Sequence, residues 1–79
     1  MATYAIRFEG PGVLALDVVT RLADGEGVDL LASQTPEPTG DGAVTLDVTV
    51  AGDDAAVFAA VGSIDATLPD GASIAVTPP

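Results

Sequence analysis

Phe8-Glu9-Gly10-Pro11-Gly12-Val13-Leu14 separates two periods of apolar residues, and the chain is organised around it. Before it, Tyr4, Ile6 and Phe8 alternate with Thr3, Ala5, Arg7 and Glu9, the two-residue period of a half-buried strand over Ala2 to Glu9. After it, Leu14, Ala15, Val18, Val19 and Leu22 follow helical spacing, with Asp17, Arg21 and Asp24 on the opposite face. Pro11 suits the first turn of that helix, and Asp17 with Arg21 forms a favourable i, i+4 pair. Gly25 and Gly27 supply the stop, with Gly25 expected as a left-handed C-cap.

Val28 to about Thr35 reads as a second strand, with Val28, Leu30 and Ala32 on one face and Asp29, Leu31 and Ser33 on the other. Pro36 to Gly42 is rich in Pro, Gly and acidic residues and reads as an exposed hairpin loop. Ala43 to Ala51 is the clearest strand, because Val44, Leu46, Val48 and Val50 alternate with Ala43, Thr45, Asp47 and Thr49. Gly52-Asp53-Asp54 ends it and caps a second helix, whose carboxylates are placed to accept orphan amide protons. Val57, Val61, Ile64 and Leu68 form the apolar stripe of that helix, with Gly62 marking close packing or an early end near Ser63. Pro69-Asp70-Gly71 is a turn, and Ala72 to Thr77 is a last strand.

The order strand, helix, strand, strand, helix, strand predicts an α+β, ferredoxin-like βαββαβ fold. It is a four-stranded antiparallel sheet with both helices on one face, and strands one and three lie at its centre. The expected helix-facing core is Tyr4, Ile6, Phe8, Val28, Leu30, Val44, Leu46, Val48, Ile74 and Val76. The other face carries small and polar residues together with Leu31, and there Arg7 and Asp47 pair across the central strands. At 79 residues, the chain 1–79 is expected to be one domain.

Apolar residues are 48% of the chain, but Ala and Val dominate and aromatics are 4%, so each buried position contributes little area. A partner surface or helpful solvent conditions are therefore expected to add stability, as small domains often gain it by oligomerising. Twelve acidic residues against two Arg and no Lys give a formal net charge of −10. Such a surface repels nucleic acid and anionic membranes alike. The chain is nevertheless apolar on average and periodic, so the acidity describes a folded domain's shell rather than disorder. Its composition resembles that of proteins from extreme halophiles. With no Cys there are no disulfides, thiolate metal sites or thiol catalysis, and the redox compartment leaves no mark on the sequence. No basic leader and no apolar run near the length that spans a bilayer is seen, so the cytoplasm is the default expectation.

A glycine-flanked turn from strand to helix presents amides at a positive helix end, suited to a carboxylate, and lets a ligand approach the backbone. Glu9 opposes an anion there but suits the ammonium group of an amino acid. Glu9-Gly10-Pro11-Gly12-Val13-Leu14-Ala15 resembles the Asp-x-Pro-Gly-x-Leu signature of ACT domains. Glu26-Gly27-Val28-Asp29-Leu30 resembles the Gly-Ile-Asn-Ile step into their second strand. Glu9 stands where that family prefers Asp or Asn, and the distance from Pro11 to Gly27 is slightly longer. The ligand-sensing domain of archaeal feast/famine regulators has the same element order. The resemblance implies a small regulatory module, commonly dimeric, that holds an amino acid or other small effector at Glu9, Gly10, Pro11, Gly12, Val13 and Leu14. The alternative is a stand-alone interaction module using the open sheet face, or the helix flank around Val13 and Leu16, with no small-molecule ligand.

Catalysis is the least favoured class. Acylphosphatases share this fold, but their phosphate-binding Arg has no counterpart among Val13, Leu14, Ala15 and Leu16. With no His and no Lys, no Ser or Thr has an obvious activating base. Asp24, Glu26 and Asp29 form an acidic turn whose spacing does not match a calcium loop, and neither a metal nor a cofactor is expected. The charge balance carries a test: the melting temperature should rise as salt goes from about 0.1 M to about 1 M, where the screening length falls from about 10 Å to about 3 Å. A melting temperature independent of salt would contradict the halophilic assignment.

Overall fold

The structure, a computed structural model, describes residues 2–77. Strand β1 (Ala2–Pro11) pairs antiparallel with β4 (Ala43–Gly52) over ten consecutive residue pairs, from Ala2 opposite Gly52 to Pro11 opposite Ala43. Both are longer than their alternation suggested. The sheet order is β2 (Val28–Ser33), β4, β1, β5 (Ser73–Thr77), which is the ferredoxin-like arrangement with the two long strands at the centre. Helices α1 (Ala15–Asp24) and α2 (Asp54–Asp65) supply buried residues to the same core. Among the described residues, no helix is long and apolar enough to cross a membrane.

The expected loop at Pro36 to Gly42 is instead mostly strand. Glu37–Gly40 forms β3, which pairs with β4 through Glu37 opposite Thr45 and Gly40 opposite Ala43. β2 and β3 lie end to end along one edge of β4, so the sheet has five strands and is four positions wide. The Gln34 N–H, donating to the Asp47 carbonyl at 3.0 Å, bridges the gap between them. Asp41 and Gly42, with φ of 51° and 80°, close the two-residue turn into β4, as Asp-Gly does in tight hairpins.

The core is built from facing rows. Tyr4, Ile6 and Phe8 of β1 stand opposite Val50, Val48 and Leu46 of β4, and all six are buried. Val18 and Leu22 of α1, and Val57, Val61 and Ile64 of α2, close over them. Val50, outside the expected set, is fully buried, whereas Leu30, Val44, Ile74 and Val76 are only half-buried. Leu30, Ile74 and Val76 belong to outer strands, and Val44 lies near one end of β4.

A β-bulge corrects the expected faces of β2. Leu30 lies opposite Val50, but Ala32 lies opposite Thr49 and Ser33 opposite Val48. The extra residue, Leu31, reverses the alternation, so Ser33 turns to the helix side and Ala32 to the open side. Leu31 itself is exposed.

The helix ends also differ from expectation. Pro11, with φ −55° and ψ 132°, closes β1, and a 3-10 turn at Gly12–Leu14 leads into α1. Gly25 is extended at φ −61° and ψ 129°, and the left-handed residue is Gly27 at φ 79°. Asp53 is the N-cap of α2 but its carboxylate makes no capping bond; its backbone carbonyl accepts the Val57 N–H at 2.9 Å. α2 ends at Asp65, so Leu68 lies beyond it, half-buried against the core.

Three glycines differ sharply in what surrounds them. A Cβ on Gly10 would lie 2.8 Å from the Ala72 Cβ, and one on Gly52 would collide with the Gly27 carbonyl. Gly62, by contrast, is exposed inside α2 with open space where a Cβ would go, so it marks neither close packing nor a helix end. Gly62→Ala should therefore stabilise the fold by about 0.5–1 kcal/mol. Gly10→Ala should destabilise it by about 1–3 kcal/mol, because a backbone-fixed methyl group cannot move aside. Chemical denaturation of both variants checks this, and a destabilising Gly62→Ala would contradict it.

Candidate functional site

The turn from β1 into α1 is shaped by the sheet rather than by the helix. Pairing with β4 continues through Pro11, and the Gly12 N–H then donates to the Gly42 carbonyl at 2.9 Å. That amide is consequently not free for a ligand, and the proline stays in its extended form. Gly10 is buried where Ala72 closes against it. Val13 is 87% exposed, while Leu14 is half-buried against the core.

Strand parity divides the six candidate residues. Phe8 and Gly10 face the helices, so Glu9, lying between Thr45 and Ser73 and exposed, belongs to the open sheet face with Arg7. Its carboxylate is therefore on the wrong side of the sheet to hold an ammonium group at the turn. The backbone of Gly12 does border a groove of about 260 Å³ between the start of α1 and the outer edge of β4. Ala15, Leu16 and Val19 form its helix wall, and Ser33, Pro36 and Leu46 form the sheet side. The groove is predominantly apolar, with one side-chain hydroxyl, and Leu16 on its rim is 76% exposed.

Of the groove residues, Gly12 is the one that belongs to the expected ligand set; Ala15, Val19 and Leu46 read in the sequence as apolar core positions, and Ser33 and Pro36 carry no signal of a site. Alternation assigned Ser33 to the open face, and only the bulge brings it round. Pro36 fell in a segment taken as loop. The detectable signal was Asp41-Gly42, a hairpin turn that requires a strand before it as well as after it.

On the open face, Arg7 and Asp47 stand directly opposite one another. The Arg7 Nε donates to Asp47 Oδ1 at 2.8 Å and its Nη2 donates to Oδ2 at 3.2 Å, a forked pair. The hydrogen bond from Arg7, reinforced by its charge, holds the Asp47 carboxyl below the ordinary carboxylate value. The same hydrogen bond and the Asp47 charge raise Arg7. Arg21 is engaged as well, 3.1 Å from Asp17 and donating to the Thr67 hydroxyl at 2.7 Å. Thr67 in turn donates to the Ile64 carbonyl at 2.8 Å, tying α1 to the end of α2. Both cations are thus committed within the fold. Among the described residues, no three acidic groups, Asp24, Glu26 and Asp29 included, converge to hold a metal ion.

No family model matches the chain, and no curated protein matches it. Among solved structures, it is similar to the solution structure of the C-terminal domain of the MgtC protein from Mycobacterium tuberculosis. The TM-score is 0.75 at 14% identity, over 100% of this chain and 88% of that one. At that identity the likeness concerns the fold, and the ferredoxin-like arrangement is common to both.

Asp47 carries a pH signature. A carboxyl held below its unfolded value contributes stability above the unfolded pKa, about 3.9, and loses it as pH falls through the folded value. Asp47→Asn should therefore melt below the parent protein at pH 7, and the gap should close as pH drops below about 4. Thermal melts of both proteins across that range check it. A gap unchanged by pH would contradict a charged role for the pair.

Proposed function

We propose that this chain is a small, non-catalytic regulatory module that takes a small effector in the groove beside the β1–α1 turn, and that it works as a homodimer in concentrated salt. The observation that carries the proposal is the groove itself: about 260 Å³, walled by Ala15, Leu16 and Val19, with the backbone of Gly12 at one end and Ser33 across from it. Apolar walls with a few placed polar groups are the usual form of a small-molecule site. The ferredoxin-like scaffold and the ACT-like turn sequence support a regulatory role rather than catalysis.

The groove also narrows the class of effector. With Glu9 on the other sheet face, an amino acid has no carboxylate here for its ammonium group. A small aliphatic acid without an ammonium group fits best, its carbon chain against Leu16 and Val19 and its polar end towards the Ser33 hydroxyl. A second function is favoured by the exposure of Val13 and Leu16, at 87% and 76%: the same rim holding a protein instead of a small molecule.

A heteronuclear NMR titration with aliphatic amino acids and small carboxylic acids tests the proposal. Binding should move the amides of Gly12 to Leu14 together with those of Val19 and Ser33, which lie on opposite walls. If no compound moves both walls, the effector proposal fails.

A further inference from the structure

The two edges of the sheet are built in opposite ways. One edge, formed by β2 and β3, carries a bulge at Leu31, Pro36 between the strands, Pro38 within β3, and the charges of Asp29 and Glu37. Charges, prolines and bulges are the devices that stop another strand from pairing. The other edge, β5, has none of them within the strand: Ser73-Ile74-Ala75-Val76-Thr77 contains no charge and no proline, its register with β1 is unbroken, and Pro78 and Pro79 follow it in sequence. In a chain of net charge −10, this edge is neutral and regular, and among the described residues no strand pairs along its outer side.

The strand is also chemically palindromic. Reading it in either direction gives hydroxyl, β-branched aliphatic, Ala, β-branched aliphatic, hydroxyl. We propose that two copies of the chain join edge to edge through β5, antiparallel about a two-fold axis at Ala75, into one continuous sheet with both copies' helices on one face.

The axis follows from matching side chains. It sets Ile74 against Val76 of the second copy on the helix side, where both are only half-buried in the single chain. It sets Ser73 against Thr77 on the open side, and Ala75 against itself. Aliphatic and hydroxyl pairs of this kind are the favourable cross-strand combinations, and a two-fold axis requires each contact to occur twice. An unrelated strand has no reason to match on both faces. Repulsion between two acidic copies opposes the contact and is screened by salt, so association should tighten as salt rises.

The inference rests on the homodimer proposal and adds its seam, so the experiment separates the two. Sedimentation of the whole chain in about 1 M salt, where charges beyond about 3 Å are screened, should show a dimer that weakens in dilute salt. In moderate salt, S73K/T77K should raise the dimer Kd by about tenfold, because like charges then face each other twice. That loss would occur although the substitutions lower the net charge. S73K/T77E should recover the parent Kd, and both variants should melt like the parent in circular dichroism, since both positions are exposed on the open face. Isotope-filtered NOEs between Ile74 methyls of one copy and Val76 methyls of the other should appear in a mixed-label sample. A monomer at every salt concentration would overturn both the seam and the homodimer. A dimer whose Kd ignores S73K/T77K but is lost on Leu16→Asp would overturn the β5 seam while keeping the dimer.

Discussion

The antiparallel ladder between Ala2–Pro11 and Ala43–Gly52 decides which side chains of the sheet meet the helices. Ten uninterrupted pairs leave no freedom of register, and a slip of one residue would send every core side chain to the open face. The ladder places Tyr4, Ile6 and Phe8 against Val50, Val48 and Leu46 inside, and Arg7 against Asp47 outside. Phe8 is the largest of the fully buried side chains, in a core that it shares with Tyr4 and with aliphatic residues. Truncating it to Ala would cost about 3–5 kcal/mol, a large part of what so small a domain has. The exposed ion pair outside is secondary to this, since solvent screens it.

The elements legible in the sequence are those whose pattern is written by burial of one face. β1 and β4 alternate because one side meets the helices, and α1 repeats at helical spacing because Val18 and Leu22 face the sheet. α2 has little contrast between its faces, since Ala is spread around it and Phe58 is exposed, yet Val57, Val61 and Ile64 still mark its inner side. From these the order of the elements other than β3 and the ferredoxin-like topology follow, together with the opposition of Arg7 and Asp47.

What was not legible depends on pairing between distant segments. Glu37-Pro38-Thr39-Gly40 contains no apolar residue to signal a strand. It becomes one because β4 extends past the end of β2, and the outer groups near Thr45 and Val44 need partners. The bulge at Leu31 is similarly silent, since two β2 residues oppose one of β4 only once register is fixed by both ends of the strand. Pro11 is compatible with a helix start or a strand end, and the hydrogen bond from Gly12 to Gly42 selects the latter. The candidate site inherits these gaps. Its turn was found from glycine and proline, whereas its far wall, Ser33 and Pro36, exists only because of the bulge and the split edge.

The charge distribution connects the site to the rest of the surface. Arg7 is tied to Asp47, and Arg21 to Asp17 and Thr67, so neither cation is free to offset the acidic field. Ten uncompensated negative charges surround a fold with no buried charged group among the described residues. A uniform field of one sign repels anions and attracts cations without distinguishing among them, so it confers solubility rather than specificity. Specific recognition then falls to surfaces where charge is absent and shape decides. The fold keeps two such places well apart: the apolar groove at the start of α1, on the edge blunted by bulge and proline, and the bare strand β5 on the opposite edge. Because the central ladder separates them, the proposed effector groove and the proposed β5 seam do not compete for the same surface.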